Sequence, residues 1–348
     1  MINKEEKYNN TGIWKLIREL DSKKGINEIS INGPREIFIE RDGKMIQLAY
    51  NLTKEDINNF VNDLVDIRKK KYGVDDSPIV NGSLYDGSRF NIIKEPFAQN
   101  SHAISIRKYQ KNIKTFQENA GVFGLYGKWV EFMKAVVLSR MNCIISGGTG
   151  SGKTTLMNLL IQELNPDERL VTIEDTIELN FQHKNVVRLE SFSTTSQRLS
   201  IRELVINALR MRPDRIIIGE TRGGEFFDLL TAMNTGHDGS MSTIHSNSAA
   251  ECIQRMETLT YLAGFDIPAK AIRGQIASGV DFIFQIKRDE TGKRILDEII
   301  EMTGMEGDTI SMSSIAKFED GGLHATGITP RTIDKLHLRG GLPRDFFN

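Results

Sequence analysis

A glycine-rich segment that joins two apolar stretches constrains the fold of this chain more than any other feature. Residues 144–160 read IISGGTGSGKTTLMNLL, and Gly147–Thr154 within them matches G-x-x-x-x-G-K-[ST]. The pattern predicts an apolar strand, a tight turn and a helix whose positive end faces the turn. Glycines in such a turn let backbone N–H groups converge on phosphate oxygens. An ordinary glycine-rich turn is the alternative, and the lysine and the flanking elements argue against it.

The segment Gly147–Thr154, called the P-loop below, predicts a site for ATP and Mg²⁺. We expect Lys153 to reach the β- and γ-phosphates and the Thr154 hydroxyl to bind Mg²⁺. The predicted nucleotide-binding residues are Gly148, Thr149, Gly150, Ser151, Gly152, Lys153, Thr154 and Thr155.

The composition narrows the class of protein. The chain has 348 residues, which favours two domains, and its net charge of −1 gives no overall attraction to nucleic acid or to an anionic membrane. Cys143 and Cys252 stand in apolar patterns and are expected in the core. The sequence has neither a signal-peptide pattern nor an apolar run of about 18 residues. We therefore expect a cytoplasmic protein that reaches a membrane only through partners.

The sequence pattern changes near residue 110, which predicts two domains. Residues 1–109 read as a small α+β domain, with turns at 32–34 and at Asp42-Gly43 and a helix that begins at a capping box of Thr53 and Asp56. Residues 110–120 are polar and are interpreted as a linker.

Residues 121–348 alternate between predicted strands and helices, which favours a parallel sheet covered by helices. The predicted helices are Trp129–Leu138, Lys153–Leu164, Arg202–Met211, Glu225–Met233 and Ala249–Leu262, the last with a capping box of Ser248 and Glu251. The predicted strands are Cys143–Ser146, Leu170–Ile173, Arg215–Ile218 and Met241–Ile244, followed by two closing strands expected to be antiparallel, Phe282–Ile286 and Arg294–Met302.

Acidic residues follow two of these strands, at the sheet edge where ligands of open α/β sheets bind. Glu174, Asp175 and Glu178 follow the second strand, and one of them is a candidate to orient an attacking water. A solvated turn is the alternative. Glu220 ends the next strand and is able to hold Mg²⁺, directly or through water.

Two histidines flank the last parallel strand. His245 ends that strand and is a candidate to donate a hydrogen bond to the γ-phosphate, whereas His237 precedes the strand. A structural role is an equally open interpretation. A metal site is disfavoured, because neither a cysteine nor a third histidine accompanies them.

The order of these motifs resembles the secretion ATPase superfamily, the motors of type II secretion, type IV pili and type IV secretion. TIEDTIEL, IIIGETRGGE and TGHDGSMSTIH follow the P-loop with the order and spacing of that superfamily. EISINGP, YDGSRFNII, SIRKY and ATGITPRTIDKLHLRGGLP are similar to the CpaF/TadA group of tight-adherence (Flp) pilus ATPases. The resemblance covers the chain from about Ile13 onward.

This resemblance implies a fold and a set of roles. The expected fold is a RecA-like α/β ATPase domain preceded by a PAS-like α+β domain, assembled into a homohexamer. Glu178 corresponds to the proposed general base, Glu220 to the acid that supports Mg²⁺ and His245 to the γ-phosphate sensor. Arg89 and Arg107 match arginines that reach the nucleotide from the N-terminal domain, within one chain or from a neighbour.

The implied function is ATP hydrolysis that drives a Tad/Flp-type pilus through inner-membrane platform proteins, in assembly, retraction or both. Three alternatives remain: a type IV secretion ATPase, a nucleic-acid motor, and a scaffold that binds ATP with little turnover. The balanced charge and the missing base-stacking motif disfavour the nucleic-acid motor. The retained Glu178 and Glu220 disfavour the scaffold.

Overall fold

The computed structural model describes residues 11–348 apart from 22, 24, 42–43, 73–76, 85, 110–114, 119–120 and 195–197, with only the backbone of 69–72. The predicted Asp42-Gly43 turn and most of the predicted linker lie outside the described residues. The chain divides into two compact units. The first unit comprises Met1–Lys111, Thr176–Glu178 and Phe192–Leu199, and the second comprises Asn112–Asp175, Leu179–Ser191 and Ser200–Asn348.

In the described residues before the predicted linker, each of two helices is followed by three strands. In chain order they are α1 (Gly12–Asp21), β1 (Ile26–Gly33), β2 (Glu36–Arg41), β3 (Lys44–Gln47), α2 (Lys54–Tyr72), β4 (Ile79–Ser83), β5 (Arg89–Ile93) and β6 (Ala103–Arg107).

The elements after the linker begin with strand–helix units and end with long strands and a helix. They are α3 (Lys128–Leu138), β7 (Cys143–Gly147), α4 (Lys153–Gln162), β8 (Leu170–Glu174), β9 (Val186–Glu190), β10 (Phe192–Ser193), β11 (Arg198–Leu199), α5 (Ile201–Ala208), β12 (Arg215–Ile218), α6 (Glu225–Asn234), β13 (Met241–Ile244), α7 (Ala249–Tyr261), α8 (Ala269–Gly279), β14 (Phe282–Arg288), β15 (Arg294–Glu306), β16 (Thr309–Glu319), β17 (Gly322–Ala325) and α9 (Ile333–Gly340).

The first unit is built on an antiparallel sheet with the strand order β3-β2-β1-β6-β5-β4. Alternate apolar residues of its strands, such as Ile29 and Ile31, are fully buried in one core with α1 and α2. Trp14 of α1 meets Phe60 of α2 edge to face, with 4.6 Å between ring centroids. The predicted α+β character of this region is confirmed.

The predicted capping box at the start of α2 is confirmed. The backbone N–H of Asp56 donates to Thr53 Oγ1 at 3.0 Å, and the backbone N–H of Thr53 donates to Asp56 Oδ2 at 2.8 Å. The N–H groups of the residue before the helix and of its third residue are therefore both satisfied.

The second unit contains a mixed sheet with the order β17-β16-β15-β14-β7-β13-β12-β8-β9. β7 lies between β14 and β13 and is parallel to both. Every residue of β7, β8, β12 and β13 is buried, as expected for parallel strands covered on both faces. The carboxyl ends of these strands consequently share one edge of the sheet, and this edge carries the P-loop.

Most of the predicted helices and strands of the second unit are confirmed within two or three residues, but three expectations are corrected. Residues after Ala208 leave the α-helix, because the N–H groups of Arg210 and Met211 bond three residues back instead of four and Pro213 follows. At α7 the capping box is only half formed. Ser248 accepts from the N–H of Glu251, whose carboxylate accepts from Asn247.

The closing strands are mixed rather than purely antiparallel. β14 pairs in parallel with β7 and antiparallel with β15. Elements that the sequence analysis missed are α1, β4, β9, the antiparallel pair β10 and β11, α8, β16, β17 and α9.

A buried ion pair supports the sheet at the edge opposite to the P-loop. Arg215, at the start of β12, is 1% exposed and donates from Nε to Glu168 Oε2 at 2.6 Å and from Nη2 to Val137 O at 2.9 Å. Burial acts to raise the pKa of Glu168, but the hydrogen bonds and charges of Arg215 and Arg140 outweigh it and hold that pKa below its ordinary value.

Removal of Glu168 is expected to destabilise the fold, because the buried Arg215 charge would lose its partner. Glu168→Ala should lower the free energy of unfolding by about 3 kcal/mol. Asp167→Ala is the matched control, since its pair with Lys184 is exposed and should contribute less than about 1 kcal/mol. Urea unfolding of both variants measures the difference, and equal midpoints would contradict the assigned role of the buried pair.

Candidate functional site

The P-loop connects β7 to α4 through a turn that only glycine fits at several positions. Gly150 and Gly152 have φ angles of 71° and 103°. A Cβ atom at Gly147 would lie 2.6 Å from Ile286 O, and one at Gly152 would lie 2.9 Å from Phe123 Cζ. The loop is therefore a close-fitted backbone cradle at a helix N-terminus, as a phosphate site requires.

The β14–β15 hairpin supports the P-loop from outside the motif. Arg288 Nε donates to Gly150 O at 3.1 Å, and Arg294 Nη1 lies 3.5 Å from Thr155 Oγ1. Within the loop, Ser151 Oγ donates to Gly148 O at 2.8 Å. The sequence analysis missed both arginines, because nothing in the local pattern indicates which loop the hairpin contacts.

Lys153 folds back onto the loop that precedes it. Its Nζ donates to Gly147 O at 2.9 Å and to Gly148 O at 3.0 Å, and the residue is buried. Burial lowers the pKa of Lys153 from its ordinary value of 10.5 to about 8, although the nearby Glu220 carboxylate opposes the shift. A phosphate group in the cradle would supply the negative charge that this ammonium lacks.

Glu220 and His245 converge on Lys153 from the ends of the neighbouring strands β12 and β13. His245 Nδ1 lies 3.3 Å from Lys153 Nζ, and His245 Nε2 lies 3.0 Å from Glu220 Oε1. Burial and the Lys153 charge lower the pKa of His245, with Glu220 acting in the opposite sense. The predicted P-loop lysine, Glu220 and His245 are thus brought together, as the parallel register implies.

The oxygen atoms at this edge fit a hard divalent cation. Glu220 Oε2 accepts from Arg222 Nη2 at 2.7 Å, whereas Oε1 is buried and faces only the Nε2 atom of His245, at 3.0 Å, in the described part of the chain. A carboxylate oxygen and the hydroxyl of Thr154, in the first turn of α4, are ligand types that Mg²⁺ accepts. In the described residues no cluster of three or more histidine, cysteine and acidic side chains is arranged for a metal ion.

The three acids that follow β8 are held by different partners. Glu174 is buried, and its Oε1 accepts from the N–H of Leu179 at 2.9 Å. Asp175 Oδ1 accepts from Ser191 Oγ at 2.8 Å. Glu178 belongs to the first unit and forms an ion pair with Arg89 of β5. Glu174 therefore organises the loop, and Glu178 is the acid whose partner is another candidate site residue.

Arg89 and Arg107 are neighbours in the sheet of the first unit. The register of β5 and β6 sets them directly opposite each other, with Arg107 exposed. Two cations on one sheet surface form a suitable contact for an anion. His237 holds the turn after α6 through its backbone, which bonds Ala232 and Ser240.

None of the helices in the described residues has both the length and the apolar character that a membrane span requires.

A family model described as "Type II/IV secretion system protein" matches residues 14–302 of the chain. A putative conjugal transfer protein of Mycobacterium tuberculosis is 30% identical over 84% of this chain and 85% of its own length. The conjugal transfer protein TrbB of Rhizobium radiobacter is 33% identical over 84% and 88%.

Solved structures with the same fold include one of the pilus retraction motor PilT with bound ADP. It is 21% identical, covers 95% of this chain and 87% of its own, and has a TM-score of 0.61. The expected fold, a RecA-like domain with a smaller N-terminal domain, is confirmed. The chain therefore belongs to the type II/IV secretion system protein family and is an ATP-hydrolysing enzyme of that family.

Proposed function

We propose that the protein is the ATPase motor of a Tad/Flp-type pilus, active in assembly, retraction or both. The observation that carries the motor function is the convergence of Lys153, Glu220 and His245 at the end of the P-loop strand. The assignment to this pilus class rests on the sequence segments that resemble the CpaF/TadA group, the last of which ends at Pro343. The protein would work in the cytoplasm and reach the inner membrane through platform proteins.

In this proposal the P-loop backbone, from Gly148 to Thr155, binds the phosphates of ATP. Lys153 leaves the carbonyls of Gly147 and Gly148 and contacts the β- and γ-phosphates. Thr154 and Glu220 would hold Mg²⁺, which when bound neutralises phosphate charge. His245 donates a hydrogen bond to the γ-phosphate.

Glu178 is proposed as the general base that accepts a proton from the attacking water. Its ion pair with Arg89 supports a link between the base and the predicted N-terminal domain (1–109). When the γ-phosphate is bound, Arg89 and Arg107 would contact it and so couple ATP to domain movement. A homohexamer would provide such arginines either within one chain or from a neighbour.

A second candidate function is a motor for conjugation or for another type IV secretion system. The names of the relatives favour it, because proteins from M. tuberculosis and R. radiobacter with 30% and 33% identity are called conjugal transfer proteins. The near-neutral net charge of −1 gives no reason to expect the motor to grip DNA itself.

The affinity for ATP is expected to fall as the pH rises above about 8. Below this value Lys153 is charged both with and without nucleotide, so affinity should be constant. Above it, binding must first restore the proton, because the phosphates raise the pKa of Lys153 in the complex. The association constant should then decrease by up to about tenfold per pH unit.

Titration of a fluorescent ATP analogue from neutral to alkaline pH measures this dependence. Lys153→Ala serves as the control and should bind weakly, with no such decline. If the affinity of Lys153→Ala declined equally steeply with rising pH, a group other than Lys153 would be the one that titrates.

Glu178→Gln should retain ATP binding and slow hydrolysis by about a hundredfold, because the amide is unable to accept the proton. Asp175→Asn is the matched control in the same loop and should hydrolyse ATP at nearly the parent rate. Phosphate release measures both rates, and light scattering checks that the assembly is unchanged. Slow hydrolysis by Asp175→Asn together with a parent-like rate for Glu178→Gln would indicate that Asp175 is the general base.

Deletion of the gene in its own organism should abolish surface pili and leave plasmid transfer unaffected. Complementation with the parent gene should restore the pili, and complementation with Lys153→Ala should not, because the mutant protein is made but does not hydrolyse ATP. Electron microscopy and mating assays provide the two measurements. Loss of transfer with intact pili would instead support the conjugation motor.

A further inference from the structure

The residues on either side of Thr176–Glu178 in the chain belong to the second unit and are held by hydrogen bonds within it. On the amino-terminal side, the N–H of Ser191 donates to Glu174 O at 2.9 Å, and Ser191 Oγ donates to Asp175. On the carboxyl-terminal side, residues 179–181 are held through their backbone. Only Thr176–Glu178 lie between these two fixed points, and they pack with the first unit.

Arg188 of β9 holds the carboxyl-terminal side. Its Nη1 donates to Leu179 O at 2.8 Å and its Nη2 donates to Phe181 O at 2.9 Å. The guanidinium carbon also lies 4.4 Å from the centre of the Phe181 ring. A planar guanidinium group that donates to two carbonyls and packs on an aromatic ring fixes a chain segment in both position and direction.

Two further groups hold the same segment. The N–H of Leu179 donates to Glu174 Oε1 at 2.9 Å, and the N–H of Asn180 donates to Asn158 Oδ1 at 2.9 Å. Asn158 lies on α4, the helix that begins with Lys153, so the segment is tied directly to the helix of the P-loop. Leu179 is fully buried, which leaves it little freedom to shift.

Glu178 is one peptide unit, about 3.8 Å, from this anchored segment. A general base must lie within hydrogen-bond reach of the water, and a misplacement of about 1 Å lowers rates by about a hundredfold. We propose that Arg188 is a positioning residue for ATP hydrolysis, which acts by fixing Leu179 and Phe181 and thereby the backbone from which Glu178 extends. The proposal rests on the assignment of Glu178 as the base.

Arg188→Ala should lower kcat by about tenfold or more, with less than about a twofold change in the affinity for a non-hydrolysable ATP analogue. Arg188→Lys keeps the charge but loses the paired guanidinium hydrogen bonds, and its kcat should lie between those of the parent and of Arg188→Ala. Asn158→Ala removes one hydrogen bond from the same segment and should lower kcat severalfold.

Arg169→Ala is the matched control. Arg169 also bonds a backbone carbonyl, that of Met211, and the side chain of Asn185, each at 2.9 Å, but it holds no residue adjacent to Glu178. We expect it to lower the urea midpoint as much as Arg188→Ala does while kcat stays near the parent value. An equal loss of kcat in both variants would overturn the proposal, since it would indicate a general loss of structure.

A double-mutant cycle separates positioning from an independent effect. In the Glu178→Gln background, Arg188→Ala should change the single-turnover rate by less than about twofold, because the group that it positions is already absent. A loss of the same factor in both backgrounds would overturn the role of Arg188 and leave Glu178 as the base. A parent-like rate in Glu178→Gln alone would overturn the base and this proposal together. If Arg188→Ala does not fold, the same cycle with Arg188→Lys decides.

Discussion

The register of the parallel strands is the constraint on which the candidate site depends. Ser146 of β7 pairs with Ile244 of β13, and Ser242 of β13 pairs with Ile218 of β12. These strands therefore end at nearly the same level, and the residues that follow them meet at one edge. Lys153, His245 and Glu220 are far apart in sequence and converge because three short buried strands are held in register by backbone hydrogen bonds.

Lys153 shows the electrostatic cost of this convergence. The ammonium group is removed from water and paired mainly with the carbonyls of Gly147 and Gly148, which carry only partial charge. The depressed pKa of about 8 expresses this cost, because the charged form is the one that burial disfavours. A nucleotide whose phosphates lie beside this ammonium group would supply full negative charge and would relieve the same penalty.

The features that could be predicted from sequence are those that depend on residues close together in the chain. The strand, turn and helix of the P-loop, the parallel strands and the capping box of α2 each follow from short-range periodicity or from residue types at fixed spacing. Glu220 and His245 were found because they stand directly after apolar strands. The capping box of α5, formed by Ser200 and Glu203, also has a readable pattern but was missed.

The supporting residues could not be predicted, because their partners are distant in sequence. Arg188 contacts carbonyls on a loop whose path depends on the pairing of β8 with β9, and Arg288 reaches Gly150 across 138 residues. An arginine that donates to backbone carbonyls leaves no signal at its target, since every residue has a carbonyl. The sequence thus indicated the candidate site residues more readily than the residues that hold them in place.

The composition of the two compact units bears on how such a protein can be divided. The first unit takes in Thr176–Glu178 and Phe192–Leu199, which lie well inside the sequence of the second. The chain consequently crosses the boundary several times, and a cut in the region of residues 110–120 would not release the first unit as a complete body. A fragment that ends at Lys111 lacks both later segments, including the Glu178 partner of Arg89. Recombination between relatives would thus have to exchange three pieces of sequence together to keep the first unit whole.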